Sequence, residues 1–306
     1  MRQVAPLTVK TNAFNLLGMG PMKKRPLVSL LLLLAWRPLQ AQTETFIEVD
    51  TGRTMDGGSG VVPVVQRAIL TMPGTSTDAA LLYFRGNPGY MLAKSLQDKQ
   101  RNLGWVGKAE SSLLQAGIAL VQMDCPTDQW GDSPKPPATK CLNDYRKSKQ
   151  HADDVRKIMA RLKEQHGLSN FYILGHSIGT VSSRWLAINL GKDEIAGTIH
   201  SSAINSNSPR GPLPEIVGNL SNEFPRKAAG APMLHVHNEM DACRSTPYAF
   251  VRDYAKDNLV TVRGGIAEGD PCGAGHLHSH QGREEHVVRA IISWIKTKKV
   301  DRPIGE

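Results

Sequence analysis

The stretch Phe171-Tyr172-Ile173-Leu174-Gly175-His176-Ser177-Ile178-Gly179-Thr180 decides the fold. A short apolar run leads into Gly-x-Ser-x-Gly, and helical spacing follows from Thr180 to about Leu190. A strand before this pentapeptide and a helix after it give it meaning. The turn between them is sharp, so the residues two before and two after the serine approach closely. Glycine, without a Cβ, suits both places. Ser177 is thereby lifted onto the tip of the turn as a candidate nucleophile. Ile178 presents its N–H at the start of the helix, where developing negative charge is stabilised. The bare pentapeptide arises by chance in about one chain in ten of this length. The flanking strand and helix, and partners elsewhere in the chain, therefore carry the weight.

Working outward, residues 79–84 form a compact apolar run, as expected of a strand buried on both faces. It ends in Arg85-Gly86-Asn87-Pro88-Gly89. Residues 118–123 read as the next buried strand, and 43–49 and 61–72 as two earlier strands joined by a Gly-rich turn. Residues 195–199, 233–237 and 259–262 read as later strands. Helices are expected over 105–116, 151–165, 246–255 and 283–297, with Val155, Ile158, Met159 and Leu162 on one apolar face. Residues 127–145 form a polar, Pro-rich loop, and 205–231 read as a short cap loop. Strands alternating with helices imply an α/β fold, a mostly parallel doubly wound sheet with helices on both faces. Its ligand site belongs outside the carboxyl ends of the strands.

Met22-Lys23-Lys24-Arg25 precedes an apolar run from Leu27 to Trp36, too short to span a bilayer. Leu39-Gln40-Ala41 then supplies a small residue for a signal peptidase. Residues 22–41 read as a signal peptide cleaved after Ala41, and 1–21 as an extension from an upstream start. An uncleaved membrane anchor is the alternative. Residues 42–306 suffice for one α/β domain with a full core. They imply a periplasmic or secreted protein without a stable membrane span. Residues 1–41 hold six of the 37 Lys and Arg residues and none of the 28 Asp and Glu, so the remainder has a net charge of +3 against +9 for the whole chain. No basic stripe is interleaved with aromatics, which speaks against nucleic-acid binding. Four cysteines follow the leader, Cys125, Cys141, Cys243 and Cys272. An even count behind a signal peptide favours disulfides.

A serine nucleophile needs a base, and the base needs a carboxylate to orient it. In a sheet of this kind the chain order is serine, acid, histidine. Asp241 lies just past the strand over 233–237 and is the candidate acid, with Glu239 as its rival. His276, His278 and His280 share the following loop, and spacing does not choose among them. His286 falls in the closing helix and faces solvent. In the loop after residue 84, Pro88 has no N–H to give, so Asn87 is the candidate oxyanion donor beside Ile178. Alternating His235 and His237 prompt a metal-binding alternative, but His-Glu-x-x-His is absent. Neither a cofactor nor a resident metal is expected. Trp130 and Asp132 are candidates for the entrance to the site.

Together, the Gly-Asn-Pro-Gly loop, Gly175 to Gly179, Asp241 and the late His loop resemble an α/β-hydrolase fold protein. The resemblance covers most of residues 43–298 and points to a secreted bacterial, esterase-like group. There the base stands a few residues before Val-Val, in His-Gly-Phe-x-Gly. Counting back from Val287-Val288 and Gly282 gives His278, although Ser279-His280 replaces the Gly-Phe. His276 stays as the alternative base. In the same group Cys-containing loops flank acid and base, which implies Cys243–Cys272 and leaves Cys125–Cys141. The implied activity is hydrolysis of a small-molecule carboxylic ester through an acyl-enzyme. Peptidase, thioesterase and acyltransferase chemistry use the same groups, and a non-catalytic binding protein is the alternative of another class.

Overall fold

The computed structural model describes residues 41–99, 103–130, 141, 143–204 and 231–305. Strands β1 (Thr43–Asp56) and β2 (Val61–Met72) pair antiparallel. β1 runs past the expected residue 49. Its register with β2 shifts between Asp50 and Thr54, where Gly52 takes φ +75° and the Thr51 hydroxyl donates to Val64 O at 2.8 Å. A bulge of this kind lets a polar stretch stay paired, which alternation of apolar residues does not reveal.

β3 (Ala79–Phe84) follows, then a 3₁₀ turn over Gly104–Ala109, α1 (Glu110–Gln115) and β4 (Ala119–Met123). The single helix expected over 105–116 is thus a 3₁₀ turn followed by a short α-helix. After α2 (Asn143–Lys147) comes α3 (Lys149–His166). Ser148 caps it by accepting from His151 N, and Gly167 ends it at φ +70°. Val155, Ile158, Met159 and Leu162 are all buried, as their spacing implies. β5 (Asn170–His176), α4 (Gly179–Asn189), β6 (Gly197–Ser201) and β7 (Met233–Asn238) complete the middle. α5 (Tyr248–Ala255), β8 (Leu259–Val262) and α6 (Glu284–Thr297) close the chain. α5 begins two residues later than expected. Pro247 suits the entry to a helix, and Thr246 is engaged elsewhere.

The strand order is β1-β2-β4-β3-β5-β6-β7-β8. From β4 to β8 all neighbours are parallel, while β1–β2 and β2–β4 are antiparallel. In β3, Leu81 and Tyr83 join the core under α1 and α6, and Ala80, Leu82 and Phe84 join the core under α3 and α4. Burial of each large side chain contributes about 1.5–3 kcal/mol, which is why the strand is apolar without alternation. The chain passes from β3 to β4 on one side and returns to β5 on the other. That reversal opens a crevice at the carboxyl ends of β3 and β5. The expected signal peptide through residue 40, the extension over 1–21, the cap through residue 230 and Asp132 lie outside the described residues.

Candidate active site

Ser177 sits between β5 and α4 with φ +51°, a left-handed conformation costly for a side chain with a Cβ. The surroundings hold it there. Its N–H donates to Ser201 O at 3.0 Å, and Thr180 donates to Ser177 O from both N, at 2.9 Å, and Oγ1, at 2.6 Å. A Cβ on Gly175 would strike Gly179 O and Ser183 Oγ, and one on Gly179 would strike Phe84 O. Both glycines are therefore demanded by close backbone approach.

The loop after β3 lies against this turn. A Cβ on Gly86 would come within 2.9 Å of the His176 ring and 3.4 Å of Ser177 Cβ. Asn87-Pro88 is a cis peptide, and Gly89 N donates to Gly86 O at 2.7 Å. The fully buried Arg146 donates to Gly89 O, to Cys141 O and to Ser182 Oγ. Asp124 accepts from Met91 N and Ala93 N, each at 2.8 Å. The loop that carries Asn87 is thus tied at its carboxyl end to β4 and α2.

Asp241 lies beyond β7, its side chain buried. Oδ1 accepts from Cys243 N at 2.9 Å. Oδ2 accepts from Thr246 Oγ1 at 2.8 Å, His278 Nδ1 at 3.0 Å and His237 Nε2 at 3.1 Å. His237 Nε2 also faces Thr246 O at 2.9 Å, so with two acceptors before it this nitrogen carries the hydrogen. Burial pushes the Asp241 carboxyl up, but the hydrogen bonds from His237 and His278 outweigh it and hold the group well below the usual carboxylate range. His278 Nε2, on the far side of the ring, is buried without a hydrogen-bond partner among the described residues. The His278 carbonyl is pinned by Ser202 Oγ at 2.7 Å.

The other candidates go elsewhere. His276 is buried and its carbonyl accepts from Ser279 N and Gln281 N, but no hydrogen bond joins it to Asp241 among the described residues. Glu239 pairs with Arg263 at the surface. His280 Nε2 meets Ser201 Oγ at 2.8 Å, and the same hydroxyl lies 3.1 Å from His176 Nδ1. Burial pushes His280 down to about 3 and His176 well below the usual histidine range. His235 packs on the rings of His200 and Tyr254. His286 is exposed. Trp130 packs beside Cys125, Cys141 and Tyr145, with Nε1 donating to Cys125 O at 2.9 Å. The cysteines form Cys125–Cys141 and Cys243–Cys272. The second bridge joins the Asp241 loop to the segment preceding His278.

A cavity of about 150 Å³ is lined by Ser177, His278, Asn87, Arg85, Trp105 and Cys272, among others. Ser177, His278 and Asn87 thus meet in one space, and Ile178 N–H opens α4 beside it. Arg146, Thr246 and the partnership of His237 with Asp241 have no signature in the sequence. In the sequence His237 stands out only as half of an alternating pair with His235.

A family model described as an alpha/beta hydrolase fold matches residues 129–296, more than half of the chain. No curated protein sequence matches it. Among solved structures, Est1E from Butyrivibrio proteoclasticus is 16% identical, with a TM-score of 0.50 over 80% of this chain and 97% of that one. LpqC, a poly(3-hydroxybutyrate) depolymerase from Bordetella parapertussis, is 13% identical, with a TM-score of 0.51 over 85% and 92%. An esterase from Pyrococcus furiosus is 12% identical, with a TM-score of 0.51 over 83% and 92%. At such identities the likeness is one of fold.

Proposed function

The chain belongs to the α/β-hydrolase fold family, and on that premise we propose that it is a serine hydrolase acting through an acyl-enzyme, with carboxylic esters as its substrates. One observation carries this reading. His278 turns Nδ1 to Asp241 and leaves Nε2 without a partner among the described residues, at the cavity that Ser177 also lines. In the proposed reaction Ser177 Oγ attacks the ester carbonyl while His278 Nε2 takes its proton. Asp241 keeps the imidazole in the required tautomer and stabilises its cation. The N–H groups of Asn87 and Ile178 receive the oxyanion. His278 then returns the proton to the departing alcohol. Water, deprotonated by the same nitrogen, releases the acid and restores Ser177.

Two solved structures of like fold carry esterase or depolymerase in their names, which agrees with ester chemistry. Short p-nitrophenyl esters should be turned over by residues 42–306, and Ser177→Ala should lower kcat by about 10⁴ or more without unfolding the protein. A folded Ser177→Ala that keeps wild-type turnover would contradict the assignment. Two disulfides fit an oxidising compartment, and no helix among the described residues is long and apolar enough to cross a membrane. With the leader over 22–41, export is part of the proposal. A mature N-terminus at Gln42 is the expected result of N-terminal sequencing, and one at Met1 or Met22 would contradict it.

A further inference from the structure

His237 lies near the end of β7 with its imidazole fully buried. Its Nε2 faces two acceptors, Asp241 Oδ2 at 3.1 Å and Thr246 O at 2.9 Å, so the hydrogen sits on Nε2. The other nitrogen, Nδ1, has no partner among the described residues, and a hydrogen there would be a buried donor left unpaired. One N–H thus holds two groups at once. Asp241 Oδ2 is the oxygen that accepts from His278 Nδ1, at 3.0 Å. Thr246 is the residue whose hydroxyl donates to that same oxygen, at 2.8 Å. Both of these donors stand on short connecting segments, Thr246 ahead of α5 and His278 in the 3₁₀ turn over Leu277–Ser279. His237 reaches Oδ2 from the sheet, where β7 pairs with β6 and β8. A carboxylate turns readily about its last torsion, and a donor on a rigid strand sets that angle with the least slack. Against burial, which pushes the Asp241 carboxyl up, the hydrogen bond from His237 is the leading counterweight.

We propose that His237 is a positioning residue for the reaction: its Nε2–H, shared between Asp241 Oδ2 and the Thr246 carbonyl, fixes the carboxylate at the angle that aims His278 at Ser177. The proposal rests on the serine-hydrolase reading above and adds a side chain to its machinery. His237 is not among the residues that line the cavity, so it acts only through Asp241 and Thr246. A packing role is the competing account, since the His237 ring lies edge-on to Tyr248 with centroids 5.9 Å apart.

Two substitutions separate the accounts. His237→Phe keeps an aromatic ring and removes the donor. His237→Gln gives up the ring and keeps an amide N–H that reaches the place of Nε2–H. On p-nitrophenyl acetate, His237→Phe should lower kcat by about 10–100-fold, as a misaligned base does, with KM within about twofold of wild type. His237→Gln should recover most of that loss. The rate at which a fluorophosphonate labels Ser177 should follow kcat in both proteins, because labelling uses the same base. A folded His237→Phe protein with wild-type kcat overturns the inference, as does a His237→Gln protein whose loss equals that of His237→Phe. Should either variant fail to fold, nitrogen NMR of labelled histidine in the wild-type protein decides. His237, recognised by its contact with Tyr248, is expected as the Nε2–H tautomer, and the Nδ1–H tautomer overturns the inference. Where the inference falls while the wild-type protein turns over p-nitrophenyl acetate, the serine-hydrolase reading stands. Wild-type protein that is neither active nor labelled at Ser177 overturns both.

Discussion

The Asp241 carboxylate accepts from Cys243 N, Thr246 Oγ1, His237 Nε2 and His278 Nδ1. All four approach as donors, so an amide in its place would turn its own NH₂ on at least one of them. Asp241→Asn should lower kcat by about 10³–10⁴, measured on a p-nitrophenyl ester, because His278 loses the tautomer that leaves Nε2 as a base. It should also change the acid limb of stability. The folded pKa of Asp241 is depressed, so the stability this group contributes is present above its unfolded pKa of about 3.9 and is lost as pH falls below it. The gap between wild type and Asp241→Asn in urea should therefore narrow below about pH 4. A gap that widens on acidification would contradict the hydrogen-bonded carboxylate. At this scale the serine was legible because its backbone strain needs glycines two residues to either side. Asp241 was legible because a strand end preceded it. His278 needed family resemblance, since three histidines in five residues present no difference in spacing. The roles of His237 and Thr246 were hidden, because they depend on how the loop after β7 folds back on that strand.

Among the elements, the β5–turn–α4 unit depends most tightly on its sequence. Gly179 sits against Phe84 O and Gly175 against Gly179 O, both backbone atoms that cannot rotate away. Gly179→Ala should destabilise by about 3 kcal/mol, read from urea midpoints, and activity should fall with it as the turn shifts Ser177. A Gly179→Ala protein of unchanged midpoint would refute the close packing. The buried parallel strands were readable as apolar runs because both faces meet helices. The extension of β1 to Asp56 was not, since a bulge and polar pairings carry it. Nor was the true start of α5, where Thr246 serves Asp241 instead of the helix.

In the whole molecule, histidines are stored uncharged inside the sheet and against its helices. His151 and His280 are pushed down from 6.5 to about 3 by burial, and His176, His200 and His235 are also lowered. Below about pH 6.5 the unfolded chain binds protons that the native fold refuses. Native stability is then fully present above that pH and lost below it, with a slope of up to about 1.4 kcal/mol per pH unit for each such histidine. Urea midpoints should fall steeply from pH 7.5 to pH 5, and His280→Gln should flatten the slope by about one proton. Equal midpoints at the two pH values would contradict neutral burial. The central claim, that this fold is used for nucleophilic catalysis by Ser177, has a more direct test. After incubation of the intact protein with a fluorophosphonate, mass spectrometry should find a single adduct that maps to Ser177 and is missing in a folded Ser177→Ala protein. An unmodified wild-type protein, or an adduct that persists in Ser177→Ala, would contradict it.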